Sequence, residues 1–177
     1  EVLPLVPLTP AQQEAIDGIK DQWKEKDTVV LHGVTSSGKT EIYLHLIREA
    51  ISRGEQVLYL LPEIALTTQI IRRLQKHLGD SIGVYHSKYT SNERVEIWNS
   101  VAGQGPGRTK FDIILGARSA VFLPFTRLGL VIVDEEQHFG VVHKERLKNL
   151  KADVHVLTLT ATPIPRTLQL ALSGVRD

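Results

Sequence analysis

Apolar positions along the chain come in two rhythms that take turns. Largely apolar stretches at residues 28–32, 56–61, 81–85, 111–115, 128–133 and 154–159 are strand-length and predict five or six buried β-strands. Between them the apolar spacing follows the helical period. The first helix is predicted from Pro10 to about residue 26, with Thr9 as N-cap, Pro10 at N1 and Gln12 in the capping-box position. Further helices are expected over 41–53, ended by Gly54, and over 65–78, 92–101, roughly 142–150 and 165–172. The segment 102–108, with three glycines and a proline, is predicted to be a surface loop. Strands buried on both faces and interleaved with helices imply an α/β class, a parallel sheet flanked by helices, with no internal repeat and no second compositional block: one domain over 1–177.

Composition narrows the functional classes. The 21 basic and 20 acidic residues give a net charge of +1, which excludes a strongly basic protein but leaves room for a few local nucleic-acid contacts. The chain has no cysteine, so disulfides, thiolate metal sites and thiol catalysis are out; the same absence suits a reducing, cytoplasmic setting. No apolar run reaches the length of a membrane span, so no membrane association is expected. The start, Glu1-Val2-Leu3-Pro4, has neither the basic nor the long apolar region of a leader and is expected to be a fragment boundary.

The segment with the most chemistry is Gly33-Val34-Thr35-Ser36-Ser37-Gly38-Lys39-Thr40, a complete phosphate-binding loop. It follows a predicted strand and opens a predicted helix, the context in which such a loop works. Gly33 and Gly38 let the backbone curl so that N–H groups, those of Thr35, Ser36 and Ser37 among them, surround a polyphosphate at a helix N-terminus. Lys39 brings a point charge to the β- and γ-phosphates, and the Thr40 hydroxyl can sit on Mg²⁺. The expected ligand is a nucleoside triphosphate with Mg²⁺.

Two later segments fit the same chemistry. Strand 128–133 runs into Asp134-Glu135-Glu136-Gln137-His138, and a carboxylate at a strand's C-terminal end reaches the crevice where open α/β sheets bind ligands. Asp134 would hold the metal opposite Thr40, and Glu135 would orient and deprotonate a water. A solvated acidic turn is the plainer alternative. Thr160, Ala161 and Thr162 follow the next strand; they suit either a Thr-rich strand end stopped by Pro163 or a segment that couples the nucleotide site to a mobile neighbour.

The phosphate loop, the Asp-Glu box and Thr160-Ala161-Thr162 together resemble motifs I, II and III of superfamily 2 helicases, in the first of their two RecA-like lobes. Residues 8–136 resemble the PriA family of replication-restart primosomal helicases, on Gly33 to Tyr43, Leu61-Pro62-Glu63-Ile64-Ala65-Leu66-Thr67, Tyr85-His86-Ser87 and Gly116-Ala117-Arg118-Ser119-Ala120-Val121-Phe122. Residues 137–177 are similar instead to the transcription-repair coupling factor and its relative RecG, on Phe139-Gly140-Val141, His143-Lys144-Glu145-Arg146 and the stretch from Thr158 to Leu168. Gln137 and Thr160, where Ser-Ala-Thr would be expected, depart from the first pattern, and His138 from the second. The change implies either a chimera of two related lobes joined near motif II or one divergent member.

The resemblance implies an ATP-driven DNA helicase or translocase lobe from the bacterial cytoplasm, with ATP and Mg²⁺ as its cofactors. By position it makes Gln12 an adenine-reading residue, a role that competes with its capping box. It makes Glu63, Thr67, Arg118 and Ser119 contacts to a DNA backbone, against the plainer reading of Arg118 as a surface ion pair. It further implies that a second RecA-like lobe, bearing an arginine finger worth about 10³–10⁵ in rate, is absent from these residues. A nucleotide-binding module without turnover is the rival expectation. His86, His138, Trp23 and Trp98 are expected to be packing or hydrogen-bonding residues.

Overall fold

Thr9 starts the first helix as predicted: its hydroxyl accepts the Gln12 N–H while its own N–H donates to Gln12 Oε1, closing the capping box at α1 (Pro10–Trp23). The computed structural model describes residues 2–33, 38–86, 90–103, 111–134, 140–149, 154–160 and 170–174. After α1 come β1 (Thr28–Gly33), α2 (Lys39–Ser52), β2 (Gln56–Leu60), α3 (Thr68–Leu78), β3 (Ile82–Tyr85) and α4 (Ser91–Val101). The second half contains β4 (Ile113–Gly116), β5 (Leu128–Asp134), α5 (Val141–Lys148), β6 (His155–Thr160) and β7 (Leu170–Gly174). Two short 3-10 turns, Glu63–Ala65 and Arg118–Phe122, follow β2 and β4.

Six parallel strands form the sheet in the order β3-β4-β2-β5-β6-β1, with β7 added at the β1 edge. The pleat separates two apolar faces. Val57, Tyr59 and Leu61 point with Ile113, Leu115, Ile132, Leu157 and Leu31 into a core closed by α1, α2 and α3. Leu58, Leu60, Ile114, Val131 and Val133 point the other way, against Ile97 and Val101 of α4 and the 118–122 turn. Every residue of β2 is therefore buried, which is why the strand after Gln56 reads as a continuous apolar stretch rather than an alternation.

Local caps account for the small shifts in element boundaries. Thr67 accepts the Ile70 N–H and caps α3, so that helix begins at Thr68, and the residues before it form the 3-10 turn instead of the helical start expected at residue 65. Thr90 and Glu93 close a capping box that starts α4 at Ser91.

One element differs in kind. Residues 170–172, expected at the end of a helix, belong to β7, which pairs antiparallel with β1 from Leu170↔Gly33 to Gly174↔Val29. The open edge of β1 offers a row of N–H and C=O groups, and satisfying them outweighs the weak helical preference of a short apolar stretch. The rest of that predicted helix, 165–169, lies outside the described residues, as does most of the glycine-rich loop predicted at 102–108.

Candidate functional site

Parallel strands end on the same edge, so the candidate chemistry of five separate segments meets there. Strand register makes this quantitative: Leu60 pairs with Gly116 and with Val133, Asp134 with Leu159, and Thr160 with His32. Across the C-terminal edge the order is therefore the 118–122 turn after β4, the 63–65 turn after β2, Asp134 at the end of β5, Thr160 at the end of β6, and the loop after β1. This crevice is where open α/β sheets place ligands.

Gly38 has φ +85° and is the N-cap of α2, a backbone state that favours glycine. Gln12 Nε2 donates to the Gly38 carbonyl at 3.1 Å, and a Cβ on Gly38 would overlap that same amide nitrogen. Gln12 is thus buried with its amide engaged at both ends: Oε1 in the α1 cap and Nε2 on the phosphate loop. Its capping-box role is observed, and it ties α1 to the start of α2. Val34, Thr35, Ser36 and Ser37 lie outside the described residues.

Lys39 and Thr40 occupy the first turn of α2. Partial burial pushes the Lys39 ammonium below its ordinary pKa, and the Asp134 carboxylate opposes that shift. The two motifs that the chain carries far apart in sequence therefore act on one another. Thr40 Oγ1 accepts a hydrogen bond from the Tyr43 hydroxyl at 3.2 Å. Tyr43 in turn meets Tyr59 edge-to-face, with ring centroids 5.2 Å apart. Burial pushes the Tyr59 phenol well above its usual pKa, reinforced by the neighbouring Tyr43 and by the Asp134 charge, against the opposing pull of Arg73. Tyr43 closes the resembling segment 33–43 in the sequence, but nothing there assigns it a role, and Tyr59 reads only as an apolar strand position.

Among the described residues no group of three or more acidic or histidine side chains could hold a metal by itself. A hydroxyl at Thr40 and a carboxylate at Asp134 form a sparse oxygen set, which suits a Mg²⁺ ion bound largely through water and a ligand's own phosphate oxygens. Thr158, two residues before the end of β6, is buried beside Val133. Glu135, Ala161, Thr162 and His138 lie outside the described residues.

The neighbouring turns carry the second group of sequence candidates. Glu63, Thr67, Arg118 and Ser119 are all exposed. The 118–122 turn folds back closely because Gly116 lacks a side chain: a Cβ there would lie 3.0 Å from the Tyr85 carbonyl and collide with Ala120. Thr67 also works as the α3 cap, which its place in a motif does not reveal. Ile64, at the tip of the 63–65 turn, is 89% exposed and sits between these polar groups. Trp23 is a packing residue: its Nε1 donates to the Val156 carbonyl, and its ring stacks on His155.

A concavity of about 360 Å³ lies at the opposite edge of the sheet, lined by Trp23, His155, Leu130 and the ion pairs Lys20–Glu49 (2.8 Å) and Arg53–Glu55 (2.9 Å). Lys20 and Arg53 are taken up by its two carboxylates and Lys24 by Asp21 at 3.2 Å, and it lies at the N-terminal ends of the strands, away from Lys39 and Asp134. The candidate chemistry lies at the C-terminal edge.

Comparison with known proteins agrees with that geometry. The family model for DEAD/DEAH box helicases matches residues 9–171. The chain is 34% identical to the replication restart protein PriA of Bacillus subtilis over 97% of its length, and 40% identical to the transcription-repair-coupling factor of Staphylococcus aureus over 96%. Relatives of both kinds thus align over nearly the whole chain, which spans 22% and 15% of their respective lengths. RecG bound to a three-way DNA junction superposes with a TM-score of 0.71 at 25% identity, over 92% of this chain and 22% of that one. The sheet, six parallel strands flanked by helices, is that of a RecA-like helicase lobe. The chain belongs to the DEAD/DEAH box helicase family.

Proposed function

We propose that this chain is the first motor lobe of an ATP-dependent DNA helicase or translocase of bacterial replication restart or repair. The observation that supports this most is the strand order, which ends β5 at Asp134 on the same C-terminal edge where β1 leads to α2 and Lys39, near enough for the Asp134 charge to counter the effect of burial on Lys39. Gly33, Gly38 and the N–H groups of Thr35, Ser36 and Ser37 would wrap the triphosphate. Lys39 would face its β/γ end, and Thr40 with Asp134 would hold Mg²⁺, which supplies charge neutralisation at the phosphates. Glu135 would orient and deprotonate the attacking water. Gln12 would stand at the entrance to the base-binding side, with one amide proton left over from its bond to Gly38.

Exposed donors at Arg118, Ser119 and Thr67, with Glu63 beside them, form a face one to two strands away from the nucleotide edge. A DNA backbone lying there would be gripped by the guanidinium and hydroxyl donors. Thr160, Ala161 and Thr162 would couple the two sites. The lobe as proposed needs a second RecA-like lobe to bring an arginine to the γ-phosphate, so the isolated chain should bind nucleotide yet turn it over barely above background. Calorimetry with ATP and a DNA-stimulated ATPase assay on dilute monomer test this. Absence of nucleotide binding would refute the reading. Robust turnover of the dilute chain, abolished in Glu135→Gln, would refute the need for a second lobe.

A further inference from the structure

We infer that Tyr43, held in place by Tyr59, is a positioning residue for the metal-binding hydroxyl of Thr40. The inference rests on the nucleotide reading above and goes beyond it, since nothing in the phosphate-loop pattern extends to a residue three positions into the helix.

A threonine hydroxyl has one proton and two lone pairs, and in a helix its side chain divides between two χ1 rotamers. A Thr40 free to choose would present its oxygen to a cation only part of the time. Tyr43, one turn later on the same helix face, donates to Thr40 Oγ1 at 3.2 Å. That bond selects one rotamer, uses one lone pair and leaves the other for the cation. It also turns the Thr40 proton away from its donor, toward whatever acceptor stands opposite.

Tyr43 is itself restrained. It is 6% exposed, and Tyr59, 1% exposed in β2, packs against it at a 78° interplanar angle. That edge-to-face contact holds the Tyr43 ring where its hydroxyl reaches Thr40 at the rim of the site. An apolar residue at 43 would fill the core equally well, so burial alone does not call for the phenol oxygen. Its placement on Thr40 does.

The test is a titration of the whole chain with ATP in Mg²⁺ and in EDTA, for the parent, Tyr43→Phe and Tyr43→Phe/Tyr59→Phe, each with a thermal melt. In Tyr43→Phe, affinity in Mg²⁺ should fall roughly 3- to 10-fold, the value of one neutral hydrogen bond, while affinity in EDTA stays at the parent's level. The double variant keeps the edge-to-face packing of the two rings, so its Mg²⁺-dependent affinity should stay as low as that of Tyr43→Phe, and both variants should melt cooperatively. Equal losses with and without Mg²⁺, an unaltered Mg²⁺ response, or affinity that recovers in the double variant would each overturn the positioning role and leave the nucleotide reading standing. A parent chain whose ATP affinity does not depend on Mg²⁺ would overturn both.

Discussion

Gly38→Ala tests whether the Gln12–Gly38 contact is what joins α1 to the phosphate loop. At φ +85° an alanine carries left-handed strain of about 1–2 kcal/mol. Its Cβ would also occupy the space of Gln12 Nε2, forcing the amide out of its 3.1 Å bond to the Gly38 carbonyl, a further 0.5–1.5 kcal/mol or so. Because Gln12 Oε1 simultaneously accepts from Thr9 N–H, swinging the amide away disturbs the α1 cap, which adds up to about 1 kcal/mol. The sum is about 2–4 kcal/mol in the parent. In a Gln12→Ala background the collision and both bonds are already gone, so the same substitution should cost only the backbone strain, about 1–2 kcal/mol. Urea unfolding of the four proteins in the cycle measures the difference. Equal costs in the two backgrounds would mean that Gln12 does not restrain the loop and would refute the account.

Three further outcomes are expected. Lys39→Met should abolish tight ATP binding yet melt no lower than the parent at neutral pH, because it removes a charge that burial disfavours. The sign follows from the lowered pKa: between that value and the ordinary one the unfolded chain binds more protons, so the parent gains stability as pH rises there and any advantage of the variant narrows. A lower melting temperature for Lys39→Met at neutral pH would contradict the desolvation argument. Gln56→Leu should cost about 2–4 kcal/mol by urea unfolding, since the buried amide donates to Val101 O and accepts from Thr126 N–H and Arg127 N–H; a loss under 1 kcal/mol would show that water replaces it. Arg118→Ala should weaken DNA binding alike across sequences and lower the salt slope by about 0.7–0.9, whereas a changed sequence preference would argue for base contact.

Much of this protein is legible in its chain order. The six parallel strands and the first four helices follow from local apolar rhythm and from caps such as Thr9–Gln12, because those signals act within a few residues and survive in any context. The phosphate loop is equally local: glycine, lysine and threonine are placed by one turn of backbone, so their spacing alone identifies them. The last strand was not legible, since β7 exists only because β1 lies at an open edge to receive it.

The arrangement of the site belongs to the tertiary structure. In sequence the phosphate loop, the 63–67 and 118–119 segments, Asp134 and Thr160 follow one another. In the sheet the order is 118–122, 63–65, Asp134, Thr160 and then the phosphate loop, which sets Asp134 against Lys39 and separates both from the exposed donors. No periodicity encodes that permutation, because it depends on which strand each crossover returns beside. The double use of Gln12 and the line from Tyr59 to Thr40 are hidden for the same reason. An amide in a helix cap and two tyrosines in apolar positions look complete as local features, and only packing shows what their remaining polar atoms reach. Local chemistry named the parts of the site, and the order of strands decided which of them touch.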